Sequence, residues 1–169
     1  MTEPPSTPET GARWPDLAGV VCDGEHLLPV RVYYEDTDFS GVVYHASYLR
    51  FMERGRSNYL RLLGADQRAL FEEVAKEAPG FAFVVRSMAI EYLKPAKMDD
   101  ILDVVTHPGE VKGASVTIRQ RVMRGDEELI NALVQVAFIF SGRARPIPKP
   151  LRIAMQADLD KATQDASKT

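Results

Sequence analysis

The sequence predicts an α+β domain in which one long helix lies against an antiparallel sheet of five strands. Two patterns support this fold class: apolar residues recur at helical spacing between positions 48 and 63, and four strand-like runs separated by turns follow between residues 81 and 140. The chain has 169 residues and 45% hydrophobic content, which suits one domain, because two would both be undersized. We expect the order β, long α, short α and then four β-strands.

The first strand is predicted over residues 26–34, a run rich in β-branched and aromatic residues. Val30, Val32 and Tyr34 would share one face of this strand. Pro29 lacks an amide donor and suits the start of a strand or an edge.

The long helix follows an acidic turn, and its apolar side chains would form one face: Tyr48, Leu49, Phe51, Met52, Tyr59, Leu60, Leu62 and Leu63. Gly64 is expected to end the helix, and Asp66 to cap a shorter helix over residues 67–76. Gly55 lies inside the long helix, where glycine costs roughly 1 kcal/mol relative to alanine. This predicts a close approach to another backbone at Gly55.

The four later strands are predicted over residues 81–93, 101–107, 115–123 and 129–140. Pro95 would end the first of them, Pro108-Gly109 would close the second, and Gly125-Asp126 would form a tight hairpin before the fourth. The fourth run has few polar residues, so we expect a central strand that is buried on both faces.

The two ends differ from this domain in composition. Residues 1–23 are rich in proline and polar residues and are predicted to form a flexible arm, while the folded domain would span 24–145. Trp14, Leu17, Val20 and Val21 would either dock the end of this arm or stay partly exposed. Residues 146–169 form a C-terminal extension, expected to leave the domain extended and end in a short helix or disorder.

Charge and cysteine content exclude several classes of function. A formal net charge of -3 argues against a nucleic-acid-binding protein, and the single Cys22 cannot form an internal disulfide. No secretory signal is visible, and no apolar run reaches the roughly 18 residues of a membrane span. We expect a cytoplasmic protein without a membrane span.

A five-stranded sheet has two faces, and a single helix can cover only one of them well. The uncovered face or an edge strand therefore needs a partner. Self-association into a homodimer is the simplest solution, and it would create clefts between subunits where a ligand could bind.

The residues around the acidic turn resemble a known family. The similarity is carried by Tyr34-Glu35-Asp36-Thr37-Asp38, Gly41-Val42-Val43-Tyr44-His45, Tyr48-Leu49-Arg50-Phe51-Met52-Glu53, Tyr92-Leu93-Lys94-Pro95-Ala96 and Asp99-Asp100. These motifs resemble the acyl-CoA thioesterases of the 4-hydroxybenzoyl-CoA type. Within that family they are most similar to the YbgC-type subgroup, which is linked to the bacterial Tol-Pal system. The resemblance implies the hotdog fold, in which the sheet wraps the long helix, and assembly into homodimers and often homotetramers.

The resemblance also implies a catalytic carboxylate at Asp38 rather than at Asp36. Independently of the family, the helix start near His45 would present free amides and the positive end of the helix dipole, which suit an oxyanion. The YbgC-type subgroup implicates the side chains of His45 and Tyr34 as well. The residues alone leave simpler interpretations open, in which Asp38 only closes the turn and Tyr34 belongs to the core.

Substrate contacts are expected at Tyr44, within the matching motif, and at basic residues that could receive the phosphates of coenzyme A. Lys94, Lys97, Arg143 and Arg145 are candidates because they lie at strand ends beside prolines, although ordinary solvated basic residues would look the same. No metal and no bound cofactor are expected, since coenzyme A is part of the substrate.

Calcium binding is the main alternative for the turn, because Asp36, Asp38, Ser40 and Gly41 match the first half of an EF-hand loop. That loop requires an acidic residue at its twelfth position, where this chain has Ser47, and an entering helix instead of a strand. The sequence therefore excludes an EF-hand.

The resemblance implies a thioesterase that hydrolyses acyl-CoA, and we expect short-chain or aromatic acyl groups to be favoured over long ones. An acyl-carrier protein could replace coenzyme A. The alternative from another class is a non-catalytic acyl-thioester-binding or Tol-Pal interaction module. A hydratase on the same fold fits less well, because those enzymes carry a different Asp and His arrangement.

Overall fold

A computed structural model of the chain describes residues 17–66 and 68–166. Its elements, numbered in chain order, are β1 (Val20–Cys22), β2 (Glu25–Arg31), α1 (Ser47–Asp66), α2 (Arg68–Glu77), β3 (Ala82–Tyr92), β4 (Ile101–Lys112), β5 (Ser115–Arg124), β6 (Glu127–Phe140), β7 (Arg143–Ala144) and α3 (Lys149–Ala166). A short 3-10 turn, Tyr34–Asp36, lies between β2 and α1. The α+β class and the order of the predicted elements are confirmed.

The strands form one antiparallel sheet in the order β1-β2-β4-β5-β6-β3, with β7 paired to the end of β6. The described residues thus contain seven strands where five were predicted, because the short β1 and β7 add pairs at the margins. β3 lies at one end of the sheet and pairs with β6 alone among the described strands. Val84 and Val85 on β3 are exposed in the single chain.

The long helix α1 supplies the largest side chains of the core. Tyr48, Phe51, Met52 and Tyr59 are each at most 2% exposed. Burying a large apolar side chain contributes roughly 1.5–3 kcal/mol, so this face of α1 holds the helix against the sheet. The start of α1 packs with residues of β2 and β4, and its end packs with residues of β5, β6 and α3.

The close approach predicted at Gly55 is present, but it involves side chains instead of backbone. A Cβ atom added at Gly55 would lie 2.7 Å from Thr106 Oγ1 and 2.8 Å from Val104 Cγ1. Both residues project from β4 toward the helix. Glycine thus allows α1 to lie directly on the side chains of the sheet.

The predicted end of the long helix at Gly64 is wrong by two residues, since α1 continues to Asp66. A glycine that ends a helix usually takes a left-handed conformation, and Gly64 is not among the described glycines with positive φ. The second helix, expected over 67–76, is observed as Arg68–Glu77.

The first strand is shorter than predicted and ends at Arg31. Val30 and Val32 are buried as expected, but the chain then turns, and Tyr34 is 80% exposed in the 3-10 turn. The expectation that Tyr34 shares their face is wrong, because the acidic turn begins before residue 34.

Pro108-Gly109 does not close the second of the later strands, and β4 continues to Lys112 through an irregularity between Pro108 and Val111. β2 pairs with β4 only as far as Thr106. Beyond Thr106, no other strand of the described residues pairs with β4 on the side of β2, so the missing amide donor of Pro108 is tolerated there. The local turn signal was misleading because the edge position was not visible in the sequence.

β6 is central, as predicted, but it is buried on one face only. Ile130, Ala132 and Val134 are buried, whereas Asn131 and Leu133 on the opposite face are exposed in the single chain. The scarcity of polar residues on this strand therefore does not correspond to two covered faces within one chain.

The C-terminal extension forms an 18-residue helix, longer than the expected short helix or disorder. Only residues 145–148 form an extended exit before it. Leu151 and Met155 are at most 1% exposed and belong to the core at the end of α1, and Tyr59 donates a hydrogen bond to Asp158 of α3 at 3.0 Å. The helix thus packs into the same core as the predicted 24–145 domain.

Of the residues expected to dock the N-terminal arm, Trp14 lies outside the described residues. Leu17 and Val20 are exposed, while the buried His26 ring donates from Nε2 to the carbonyl of Ala18 at 2.6 Å. The described start of the chain is therefore tied to β2 through Ala18 and β1. None of the helices in the described part of the chain has the length and apolar character needed to cross a membrane.

Candidate active site

The turn after β2 holds Asp38 in a closed loop. The amide of Asp38 donates to the carbonyl of Val42 at 3.1 Å, and the amide of Gly41 donates to the carbonyl of Asp38 at 3.0 Å. Gly41 has a φ of 78°, a left-handed conformation that glycine adopts without strain. The turn therefore presents the Asp38 side chain to solvent in a defined position.

The Asp38 carboxylate is exposed, and one of its oxygens is already engaged. Oδ1 accepts a hydrogen bond from the amide of Ser40 at 2.8 Å and another from the Ser40 hydroxyl. The Ser40 hydroxyl, followed by the Ser40 amide and the nearby His45, lowers the pKa of Asp38 below its ordinary value of 3.8. Asp38 closes its own turn, yet it is ionised at neutral pH and Oδ2 has no hydrogen-bond partner among the described residues.

The side chain of Asp36, unlike that of Asp38, is buried. Its side chain is 6% exposed, and Oδ2 accepts the amide of Tyr33 at 2.8 Å. Its carbonyl accepts the amide of Tyr44 at 2.8 Å. Asp36 thus ties the two ends of the turn together, and its carboxylate is turned inward instead of toward a ligand.

The start of α1 lies next to this turn. The helix begins at Ser47, whose amide donates to the carbonyl of Tyr44 at 2.8 Å. The amides of His45 and Ala46 make no hydrogen bond to another backbone group of the described residues. Free amides at the positive end of a helix suit the oxyanion that forms when a thioester carbonyl is attacked.

Aromatic rings surround His45. The ring of Tyr44 lies 4.4 Å from the His45 ring, and Tyr92 donates its hydroxyl to the His45 carbonyl at 3.2 Å. A groove of about 210 Å³ opens here, lined by Val43, His45, Tyr48, Tyr92, Leu93, Lys94 and Pro95. The groove places an apolar wall and one cation beside the helix start.

The structure does not give Tyr34 a place in this groove. Its side chain is exposed, and its carbonyl accepts the amide and the hydroxyl of Thr37 within the turn. The core interpretation of Tyr34 is wrong, and its backbone helps to shape the turn that carries Asp38.

The basic residues expected at the substrate divide into two groups. Lys94 lines the groove, with its Nζ 2.6 Å from Glu127 Oε1. Arg143 pairs with Phe140 at the end of β6, ten residues from the position opposite Tyr92. Ten strand residues span roughly 33 Å. One chain therefore does not bring Arg143 or its neighbour Arg145 to the groove.

Sequence reasoning placed Tyr48 only in the core face of the helix and did not mention Arg124, but both contact the segment 94–100. The Tyr48 hydroxyl accepts the amide of Ala96 at 2.9 Å, and Arg124 forms an ion pair with Asp100 at 2.7 Å. Tyr48, Ala96 and Asp100 each lie in one of the matching motifs, but those motifs gave no signal that Arg124 belongs with them. Arg124 precedes a hairpin, and its contact with Asp100 arises from the pairing of distant strands.

Across residues 17–66 and 68–166, no group of three or more His, Cys, Asp or Glu side chains is arranged to hold a metal ion. The side chains of the candidate site that can act on a substrate are the Asp38 carboxylate, the His45 imidazole and the phenols of Tyr44 and Tyr92 beside His45. Together with the free amides, they offer acid-base and hydrogen-bonding chemistry.

An antiparallel sheet wrapped on a long helix, with an acidic turn at the helix start, defines the hotdog class of proteins. The chain belongs to the Thioesterase superfamily, whose family model matches residues 40–131.

Curated relatives agree with this assignment. The chain is 47% identical to the acyl-CoA thioesterase YbgC of Haemophilus influenzae over 131 residues, which cover 78% of this chain and 93% of that protein. It is 42% identical to the acyl-CoA thioester hydrolase YbgC of Escherichia coli over 73% of this chain and 90% of that protein. A solved structure of a probable thioesterase from Bartonella henselae is 38% identical and covers 73% of this chain and 98% of its own, with a TM-score of 0.60. The resemblance found in the sequence motifs is confirmed.

Proposed function

We propose that this protein is a thioesterase that hydrolyses acyl-CoA to a free acid and coenzyme A, with Asp38 as its catalytic carboxylate. The observation that carries the proposal is the position of Asp38. It is an exposed, ionised carboxylate that its own turn holds through Ser40, beside the start of α1. The names of the curated relatives support the same reaction.

In the proposed reaction, Asp38 accepts a proton from water while the water oxygen attacks the thioester carbonyl carbon. Negative charge then develops on the carbonyl oxygen, and the free amides of His45 and Ala46 stabilise it. The carbon–sulfur bond breaks next, and the coenzyme A sulfur leaves as a thiolate that is protonated to the thiol. Direct attack by Asp38 Oδ2 would give an anhydride that water hydrolyses to the same products.

The dimensions of the groove favour small acyl groups. Its volume of about 210 Å³ lies below the ~300–1,000 Å³ of typical ligand pockets. Tyr44 and Tyr92 would contact an aromatic or short acyl chain, and Lys94 would meet the phosphates of coenzyme A or of an acyl-carrier protein. Arg143 and Arg145 would reach such a substrate only from a second copy of the chain.

A homodimer or homotetramer is part of the proposal. The outer edge of β3 has no partner among the described strands, and Val84 and Val85 on β3 are exposed. Both observations support pairing with a second copy, because an unpaired strand edge readily accepts another strand. Light scattering at micromolar protein should then give a mass of two or four chains, and a mass of one chain would contradict this part. We place the enzyme in the cytoplasm, in association with the Tol-Pal system.

The test of catalysis is Asp38→Asn, followed by thiol release from acyl-CoA substrates of increasing chain length. Loss of the general base should lower kcat by at least ~100-fold while circular dichroism stays unchanged. Asp23→Asn is a matched control, since Asp23 is an exposed aspartate in the turn between β1 and β2. Full activity of the Asp38 variant would end the proposal.

One observation favours the alternative of a non-catalytic acyl-thioester-binding or Tol-Pal interaction module. The lowered pKa of Asp38 makes this carboxylate a weaker base than an ordinary aspartate. Such a module would bind acyl-CoA in the groove without releasing thiol at any chain length. The same assay, combined with calorimetric binding, separates the two functions.

A further inference from the structure

The segment 94–100, which joins β3 to β4, is hydrogen-bonded to the turn that carries Asp38. The amide of Val43 donates to the carbonyl of Ala96 at 2.8 Å, and Val42 and Lys97 form an isolated antiparallel bridge. The carbonyl of Val42 in turn accepts the amide of Asp38 at 3.1 Å. A shift of this segment would therefore move Asp38.

The same segment is bonded to the helix start. The amide of Ala96 donates to the hydroxyl of Tyr48 at 2.9 Å, in the first turn of α1. Ala96 is fully buried and Tyr48 is 2% exposed, so water does not compete for this bond. Ala96 thus lies between the two halves of the candidate site and fixes the spacing of Asp38 from the free amides before Ser47.

Arg124 at the end of β5 holds the segment 94–100 from outside the groove. Its Nη1 donates to Asp100 Oδ2 at 2.7 Å and to the carbonyl of Pro95 at 3.4 Å. Its Nη2 donates to Glu127 Oε2 at 2.5 Å, and the other oxygen of Glu127 accepts Lys94 Nζ at 2.6 Å. One guanidinium therefore connects both ends of the segment to the hairpin between β5 and β6.

Asp100 links Arg124 to Lys97, which lies in the middle of the segment 94–100. The carboxylate oxygen that accepts Arg124 also accepts the amide of Lys97 at 2.9 Å. Partial burial alone would raise the pKa of Asp100, but the hydrogen bonds from Lys97 and Arg124 lower it, so the ion pair persists at neutral pH. Lys97 is the residue that bridges to Val42.

We propose that Arg124 is a positioning residue for the thioesterase reaction, acting through Asp100 and the segment 94–100 on the spacing between Asp38 and the start of α1. This inference rests on the proposed function. Arg124 does not line the groove and does not touch the candidate catalytic groups.

The effect expected of Arg124 on the reaction rate is larger than the effect expected on folding stability. The side chains of Arg124 and Asp100 are 35% and 24% exposed, and ion pairs at such partly exposed sites contribute little to stability. A displacement of about 1 Å at a catalytic group can reduce the rate by ~100-fold. Loss of Arg124 should therefore affect turnover far more than folding.

The test compares Arg124→Gln with Arg121→Gln in acyl-CoA hydrolysis. Arg121 lies on the same strand and forms an ion pair at similar exposure, with its Nη2 donating to both carboxylate oxygens of Glu25, but it does not contact the segment 94–100. We expect kcat to fall ~10–100-fold in Arg124→Gln with KM changed less than ~3-fold, and to stay unchanged in Arg121→Gln. Arg124→Lys should recover only part of kcat, because one ammonium cannot reproduce the planar fork that joins Asp100, Pro95 and Glu127.

A second measurement separates positioning from general weakening. In Arg124→Gln, amide hydrogen exchange should accelerate at Val43 and Asp38, with no change at core strands such as β6. A uniform acceleration, or a rise in KM alone, would show that Arg124 acts through stability or through Lys94 and would overturn the inference. Equal kcat in wild type and Arg124→Gln would overturn it while the proposed function stands, whereas a wild type without turnover would remove both.

Discussion

Gln120 is expected to be the most sensitive polar residue of the core. It is 1% exposed, and its Nε2 donates to the carbonyl of Met52 and to Thr106 Oγ1, both at 2.8 Å. Its Oε1 accepts Arg56 Nη1 at 2.7 Å. Through these three bonds Gln120 joins β5, β4 and α1.

In Gln120→Leu, two neutral hydrogen bonds and one to a charged group are lost, worth together roughly 3–5 kcal/mol. The half-buried Arg56 would also lose its partner, and burial lowers the pKa of its guanidinium. The apolar leucine recovers about 1.5–3 kcal/mol by burial. The midpoints of these two ranges give an expected net loss of about 2 kcal/mol in the free energy of unfolding.

Urea unfolding at a fixed protein concentration measures this difference, since an oligomer's apparent stability depends on concentration. Gln135→Leu is the matched control, because Gln135 is an exposed glutamine on β6 that receives one hydrogen bond from Ser87 at 3.2 Å. The control should change stability by less than ~0.5 kcal/mol. A Gln120→Leu protein as stable as wild type would show that the three bonds add nothing net and would refute this reasoning.

Two further predictions concern the turn and the helix. Ser40→Ala removes the hydroxyl hydrogen bond that is the largest cause of the lowered pKa of Asp38. The acid limb of the kcat/KM profile, which should lie below pH 3.8 in the wild type, should therefore move to higher pH. An acid limb that stays in place would show that Ser40 does not affect the catalytic ionisation. Gly55→Ala gains about 1 kcal/mol of helix propensity but meets Thr106 and Val104 at less than 3 Å, and such overpacking costs ~1–3 kcal/mol. Thermal unfolding should show net destabilisation, partly relieved in the double variant Gly55→Ala/Val104→Ala; a stabilised single variant would contradict the close contact.

Much of the fold was predictable because periodicity is a local signal. The apolar face of α1 and the alternation along β5 appear directly in the sequence, and both elements lie within a few residues of their predicted bounds. The predicted bounds are wrong where the position of a residue in the assembled sheet overrides the local sequence signal. Pro108 is typical of a strand end, but β4 continues through it at a position where no described strand pairs on the β2 side and would require an amide donor.

The candidate site was only partly visible. Two aspartates two residues apart look equivalent in the sequence, and the family resemblance selected Asp38. The structure adds a physical difference, since the Asp36 carboxylate is turned inward to the amide of Tyr33 while Asp38 faces solvent. The link from Arg124 to Asp100 could not be predicted, because it joins residues from separate strands across a hairpin and a loop.

The sequence by itself determined the fold class, the family and the turn that carries the carboxylate, because these depend on residue spacing and on motifs within short stretches of chain. Only the tertiary structure decided what holds that turn at its distance from the helix start. Ala96 contacts Val43 on one side and Tyr48 on the other, and these bonds form only when the strand that precedes residue 96 has paired with β6. The spacing within the site is therefore a property of the assembled sheet.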